Sequence, residues 1–344
     1  MLKQISKLAF IAFFFININA IYAETFNLNP GDSIQATIDS AADSDVIELA
    51  AGTYPGDIDY SGKNITIRGL GRDTVIQGTG EGPVVTFQSG EGLTAQLSRV
   101  TVTGGNDSGA ILVKDSRANI NRCFILFNRA DDNGSGVYIT GNDSEGNSAA
   151  LFNNVIAFNR LQRGGSGDPH GVFIRNSSPS LINNTIVRGD SNGIFVTGTS
   201  SPTIRNNILA RNGSRRRNLG RGICITNVPT SESPIVNYNL FFNNTRGSMF
   251  FIPEVSIPEQ DPDNFSNREI TEFETTLSDY FTGENASFTG NLFGNPRFRR
   301  LGRARNLRLR SKSAAIDAGD PESFDADLSR ADIGASGGDF PIFE

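Results

Sequence analysis

Short segments in which β-branched and other apolar residues alternate with polar ones recur along the chain. Each of them opens on glycine or another small residue: 108–113, 136–140, 171–175, 193–197 and 222–226. In the third, Val172 and Ile174 alternate with Phe173 and Arg175, a period of two that places one set in a core and the other outside. A second pattern follows each of the first, at 120–125, 151–156, 181–186, 204–208 and 236–240. Its anchor residues Ile120, Leu151, Leu181, Ile204 and Val236 recur every 23 to 32 residues or so, the period of a solenoid repeat. A unit of this size, carrying two or three short strands, cannot bury its own apolar face. It must stack on the next unit at about 4.8 Å. The pattern therefore predicts an all-β chain, wound as a right-handed parallel β-helix.

One aligned column holds Cys123, Asn154, Asn184, Asn207 and Asn239. Asparagine tolerates the left-handed turn conformation, and its amide hydrogen-bonds to a like amide above and below, so the column is expected to be a structural ladder. The ends differ from the middle. Residues 33–42 read as a short capping helix, with Ser33 as N-cap and Ile34 and Ile38 on one face. Strands are expected at 45–54 and 64–69.

These N-terminal strands and the coils after them, to about Leu240, resemble the pectin-lyase-like right-handed β-helix superfamily. Segments 306–309, 313–321 and 330–335 are similar to the closing segment of exported bacterial β-helix proteins. Such tails often precede a surface anchor, which this chain is expected to lack. The resulting division is a leader at 1–23, a coil body at 24–245, an acidic excursion or lid at 246–290 and a closing segment at 291–344. Between Gly247 and Gly290 the excursion holds nine acidic residues, from Glu254 to Glu284, against the single Arg268. It is expected to fold back over the seven arginines between Arg297 and Arg310.

Composition narrows the reading. Thirty-seven glycines and no tryptophan argue against a helix-rich protein. A net charge of -6 argues against a nucleic-acid partner, which would call for phosphate neutralisation. Lys3 and Lys7 precede an apolar run at 8–18, and Ala23 offers a small residue before Glu24, the plan of a cleaved signal peptide. The mature chain is then expected to be secreted, periplasmic or extracellular, monomeric and without a membrane span. Cys123 and Cys224 fall on different columns several coils apart and are expected to stay unpaired.

Three features carry candidate chemistry. Asp168-Pro169-His170 holds the only histidine and opens a repeat strand. It resembles the active-site signature of mannuronan C5-epimerases, although Gly165 stands where those enzymes carry tyrosine. Histidine suits abstraction of a sugar C5 proton, and Arg175 on the same strand suits neutralisation of a uronate carboxylate. His170, Arg175 and Asp168 are thus the catalytic candidates, with Asp168 orienting the ring. The second feature is a column of outward aromatics, Tyr138, Phe173 and Phe195, with Lys114, Thr140, Arg175, Thr197 and Thr226 beside it. Stacked coils give this face a spacing close to a sugar repeat, which suits an acidic polysaccharide. The third is basic: Arg211, 215–217 and Arg221 form one cluster and 297–310 another. Calcium assists many lyases of this fold, but the aligned strands offer no column of acidic ligands. Asp325 and Asp327 alone are too few, and no cofactor is expected. The chemistry reads as binding of an acidic extracellular polysaccharide, with lyase or C5-epimerase activity as its enzymatic form. The competing reading is a non-catalytic cell-surface adhesin or structural β-helix protein.

Overall fold

A computed structural model describes residues 23–337, apart from 108, 132–133, 142–148, 166, 215–219, 253–262, 266–269 and 302–305. The signal-peptide expectation thus falls almost wholly outside the described residues. So does the expected strand start at Ser108.

Each coil contributes one strand to each of three nine-stranded sheets, in the chain order I, II, III. Sheet I carries the Ile120, Leu151, Leu181, Ile204, Val236 column in parallel register, as the repeat spacing predicts. Sheet III carries Ile111, Val137, Val172, Ile194 and Ile223. Sheet II starts immediately after the asparagine column, with Phe124, Val155, Thr185, Ile208 and Leu240. The core runs up the axis between the three sheets and is filled mainly by isoleucine, valine and leucine from alternate strand positions.

The asparagine ladder forms and runs one rung further than the repeats suggested. Asn154 donates its side-chain amide to Asn184 (3.0 Å), Asn184 to Asn207 (3.1 Å), Asn207 to Asn239 (3.0 Å) and Asn239 to Asn291 (3.0 Å). The left-handed conformation, however, belongs to the residue before each rung. Arg122, Asn153, Asn183, Asn206 and Tyr238 have φ between 52° and 56°. The turn is made by that residue, which frees the buried asparagine to satisfy backbone groups of two coils. A second ladder, unanticipated, lies between sheets II and III. Asn128 donates to Asn159 (3.1 Å) and Asn212 to Asn244 (3.2 Å), with Gly189 occupying the intervening rung.

The ends are closed by different means. Helix α1 (Ile34–Ser40) is capped by the Ser33 hydroxyl and buries Ile34 and Ile38 over the first coil. At the other end, coil pairing continues past residue 245. Met249–Ile252 extends sheet III and Leu292–Phe293 extends sheet II, so the excursion is an insertion within the last coil. Its described helix α2 (Ile270–Tyr280) contributes the fully buried Leu277 to the end of the core. Just beyond it, Tyr280 and Phe281 pack against Phe251. Glu274 of α2 accepts from the backbone and side-chain amides of Asn291 (2.8 and 2.9 Å), terminating the first ladder. Glu254, Glu259, Asp261 and Glu269 of the excursion, with Arg303 and Arg305, lie outside the described residues, so the expected fold-back over 297–310 falls largely outside them; the described α2 plugs the coil end.

Sheet II strands are apolar on both faces, since Phe124, Leu126, Val155, Ala157, Val187 and Ile208 point outwards. The closing segment covers them. It runs back along the sheet as a strap that buries Leu307, Ala315, Ile333 and Ala335 against this face. Polar anchors hold it, among them Arg205–Asp320 (2.7 Å) and Asn153 Nδ2 to the Gly337 carbonyl (2.6 Å).

Candidate functional site

The outer face of sheet III presents two parallel rows. Tyr138, Phe173 and Phe195 stand in register on consecutive coils, between Leu112 and Cys224. Two positions further along each strand come Lys114, Thr140, Arg175, Thr197 and Thr226. Val172 and Ile174 are fully buried, so Phe173 does face away from the core, yet it is only 9% exposed. The cause is mutual stacking. Tyr138 and Phe173 lie 5.1 Å apart and 9° from parallel, and Phe173 meets Phe195 edge-on at 5.2 Å. One contact is stacked and the other edge-to-face, and together they leave little open ring surface, so the rings form a floor more than a row of open platforms. Lys114 and Arg175 rise exposed beside it.

His170 is 6% exposed, unlike the solvent-facing loop histidine that a polar Gly-Asp-Pro-His segment suggests. Its ring lies on Phe195 at 4.4 Å and 3°, and meets Phe173 edge-on at 5.5 Å. Asn192, on the next coil, brings its amide nitrogen to 3.4 Å from His170 Nδ1. Donation by that amide places the ring proton on Nε2, the tautomer of a donor at that nitrogen. Asn192 Oδ1 also accepts from the backbone of Arg221 at 2.8 Å. His170, Asn192 and Arg221 hold one repeat position on three successive coils, each immediately before the glycine that opens its strand.

The structure does not bring together the two residues expected to share the chemistry. His170 begins and Arg175 ends a six-residue strand. At ~3.3 Å per residue this separates them by roughly 16 Å. The cation on the histidine side is Arg221, buried to 9% exposure, and burial lowers its pKa. Burial also pushes the neighbouring Cys224 thiol up to about 12, with Arg221 opposing the rise and Asp168 adding to it. Asp168 and Arg221 therefore both act on the space beside Cys224. Arg221 was legible in the sequence, because it precedes Gly222 as His170 precedes Gly171; the run of arginines around it drew it into a different cluster. Among the described residues no three His, Cys, Asp or Glu side chains converge as a metal site.

Residues 84–252 match the family model of the right handed beta helix region. No curated protein matches the chain. Among solved structures, pectate lyase Pel9A is similar with a TM-score of 0.50 at 16% identity, covering 90% of this chain and 95% of that one. An alginate lyase from Paenibacillus sp. str. FPU-7 has a TM-score of 0.36 at 17% identity, covering 63% and 91%. A mannuronic acid specific polysaccharide family 6 lyase from human gut microbiota has a TM-score of 0.36 at 15% identity, covering 67% and 59%. With the three-sheet coil already described, the family match and the likeness to Pel9A define the class by fold: the chain is an all-β, right-handed parallel β-helix, similar in fold to a pectate lyase.

Proposed function

We propose that this protein is exported and binds an acidic extracellular polysaccharide along the outer face of sheet III. One observation carries the reading. The strand register sets exposed Lys114 and Arg175 in one row with Thr140 and Thr197, beside the aromatic floor. Cations and hydroxyls at a spacing of about 4.8 Å suit a chain of uronates, whose carboxylates take charge-assisted hydrogen bonds. The half-buried Tyr138 and Phe195 rings add an apolar surface for the sugar C–H groups. The similar structure Pel9A is a pectate lyase, which agrees with such a ligand, and no described helix is long and apolar enough to cross a membrane. Cleavage after Ala23 and release from the cell belong to the same proposal. The mass of the mature secreted protein tests them.

The binding test is affinity electrophoresis in gels containing alginate or polygalacturonate. Retardation of the wild type is expected, together with a clear weakening of it in Lys114→Gln/Arg175→Gln. Unchanged mobility of the double variant sinks the assignment to this face.

A catalytic reading is favoured by one observation, the placement of the sole histidine on the same face, against Phe195. In that reading His170 handles the sugar proton, Asp168 orients it, and Arg175 or Arg221 neutralises the uronate. It ranks second because the imidazole is enclosed and the Nδ1 contact favours the Nε2–H form. Unsaturated-product absorbance or NMR-detected epimerisation, abolished in His170→Gln, would establish it.

A further inference from the structure

We infer that the corner between sheets II and III carries a second anion-binding track. It is built from Arg160, Arg188 and Arg211 on successive coils and from Arg297 and Arg310 of the strap, and it takes the carboxylate or sulfate groups of a linear acidic glycan. The inference rests on the reading above that the partner is such a glycan, but it uses none of the residues of the sheet III face.

Register comes first. Phe127, Phe158, Arg188 and Arg211 take the same left-handed turn position on four coils, with φ of 57° or 58°. Each is followed by a rung of the second ladder: Asn128, Asn159, Gly189 or Asn212. That buried ladder fixes the turns one coil apart, about 4.8 Å per step. The turn conformation sends each preceding side chain out of the coil, where Arg188 and Arg211 are exposed. Arg160 follows two positions after Phe158 and is exposed on the same corner.

The guanidinium groups are restrained and close. Arg188 lies over the Phe158 ring at 6.0 Å and Arg211 over the Phe242 ring at 5.6 Å. Arg188 feels both Arg211 and Arg160, which add to burial in lowering its pKa. At the lower end the strap closes a cleft of about 310 Å³, in which Arg211, Arg297 and Arg310 surround Phe242, Phe298 and Leu301. Among the described residues neither ion pair, Arg68–Glu48 or Arg205–Asp320, includes this row, and a carboxylate near it, Asp190, accepts from the Leu161 amide beside Arg160 (3.3 Å). Like charges gathered at coil spacing, on a protein of net charge -6, call for an external anion. A linear polymer with one anionic group per unit supplies anions at that spacing.

The test uses the full mature chain and two probes, a heparin column and polygalacturonate. Arg188→Gln/Arg211→Gln/Arg310→Gln replaces exposed side chains without described ion-pair partners, and an unchanged melting temperature verifies the fold. The wild type is expected to be retained by heparin at low salt and to bind polygalacturonate. The triple variant is expected to elute at lower salt, to bind polygalacturonate at least about tenfold more weakly, and to show a shallower dependence of affinity on salt. The Lys114→Gln/Arg175→Gln pair is expected to keep its heparin retention. Heparin elution unchanged in the triple variant overturns the track, whatever polygalacturonate does. Arginine-dependent heparin retention without any polygalacturonate binding sinks the sheet III reading alone. Equal retention of a single-stranded oligonucleotide, with no glycan bound, overturns the assignment of the track to glycan.

Discussion

The imidazole of His170 and the ring of Phe195 lie face to face, 4.4 Å between centroids and 3° from parallel, although 25 positions separate them in sequence. The parallel register creates this contact by setting Phe195 opposite Phe173, three residues along from His170. It ties the one histidine of the chain into the aromatic floor. A stack of this geometry is worth about 0.5–1.5 kcal/mol beyond area burial. A double-mutant cycle on His170→Ala and Phe195→Ala, read by urea unfolding, is therefore expected to give a coupling energy in that range. Strict additivity would show that the contact is energetically idle.

Asn184 sits mid-ladder. Its amide nitrogen donates to the Leu151 carbonyl (2.8 Å), and its oxygen accepts from the backbone and side chain of Asn154 (both 3.0 Å). Asn184→Ala leaves several buried polar groups without partners, at about 1–3 kcal/mol for each group not rescued. A loss on the order of 3 kcal/mol is expected on denaturant unfolding. Asn184→Asp should lose nearly as much, since it keeps the acceptor but loses both donors and buries a charge. A change below about 1 kcal/mol in both variants would contradict the ladder as a structural element.

Cys123 and Cys224 are free and buried, and burial raises the pKa of each thiol from the ordinary 9.0 to about 12. Folding thus favours the protonated thiols. Their contribution to stability is complete below pH 9 and is lost as pH rises toward about 12. Native protein at pH 8 is expected to react negligibly with a thiol-selective reagent, and two thiols per chain should appear on denaturation. Rapid labelling of the folded chain would contradict their burial.

Asp332 fastens the strap by accepting from the Asp317 amide (3.0 Å) and donating its own backbone N–H to Asp325 (3.0 Å). Burial raises its pKa to about 6, with Asp325, Asp317 and Asp327 adding to the rise. A raised carboxyl pKa gives stability that is full below the unfolded value and lost as pH rises through about 6. The strap is therefore expected to loosen as pH rises from about 4 through about 6, seen as faster amide exchange at 315–335 on correction for intrinsic rates. Asp332→Asn keeps the acceptor for Asp317 and should flatten that dependence. An identical pH profile in the variant would remove Asp332 as its source.

The sequence determined the coil. Ile120, Leu151, Leu181, Ile204 and Val236 repeat because every unit must bury the same face on its neighbour, so the register of sheets I and III was legible from spacing. The first asparagine ladder and the α1 cap were legible for the same reason, since each depends on local chemistry at a fixed repeat position. Tertiary structure decided what repetition does not encode. The enclosure of His170 depends on Phe195 and Asn192 from the next coil, and the gap between His170 and Arg175 follows from one strand being fully extended. Arg211 meets Arg297 and Arg310 because a strap with no repeat of its own runs back over the apolar outer face of sheet II. Period-two patterning assigns a residue to a face; which distant segment covers that face is settled by burial of its apolar area, a property of the assembled surface.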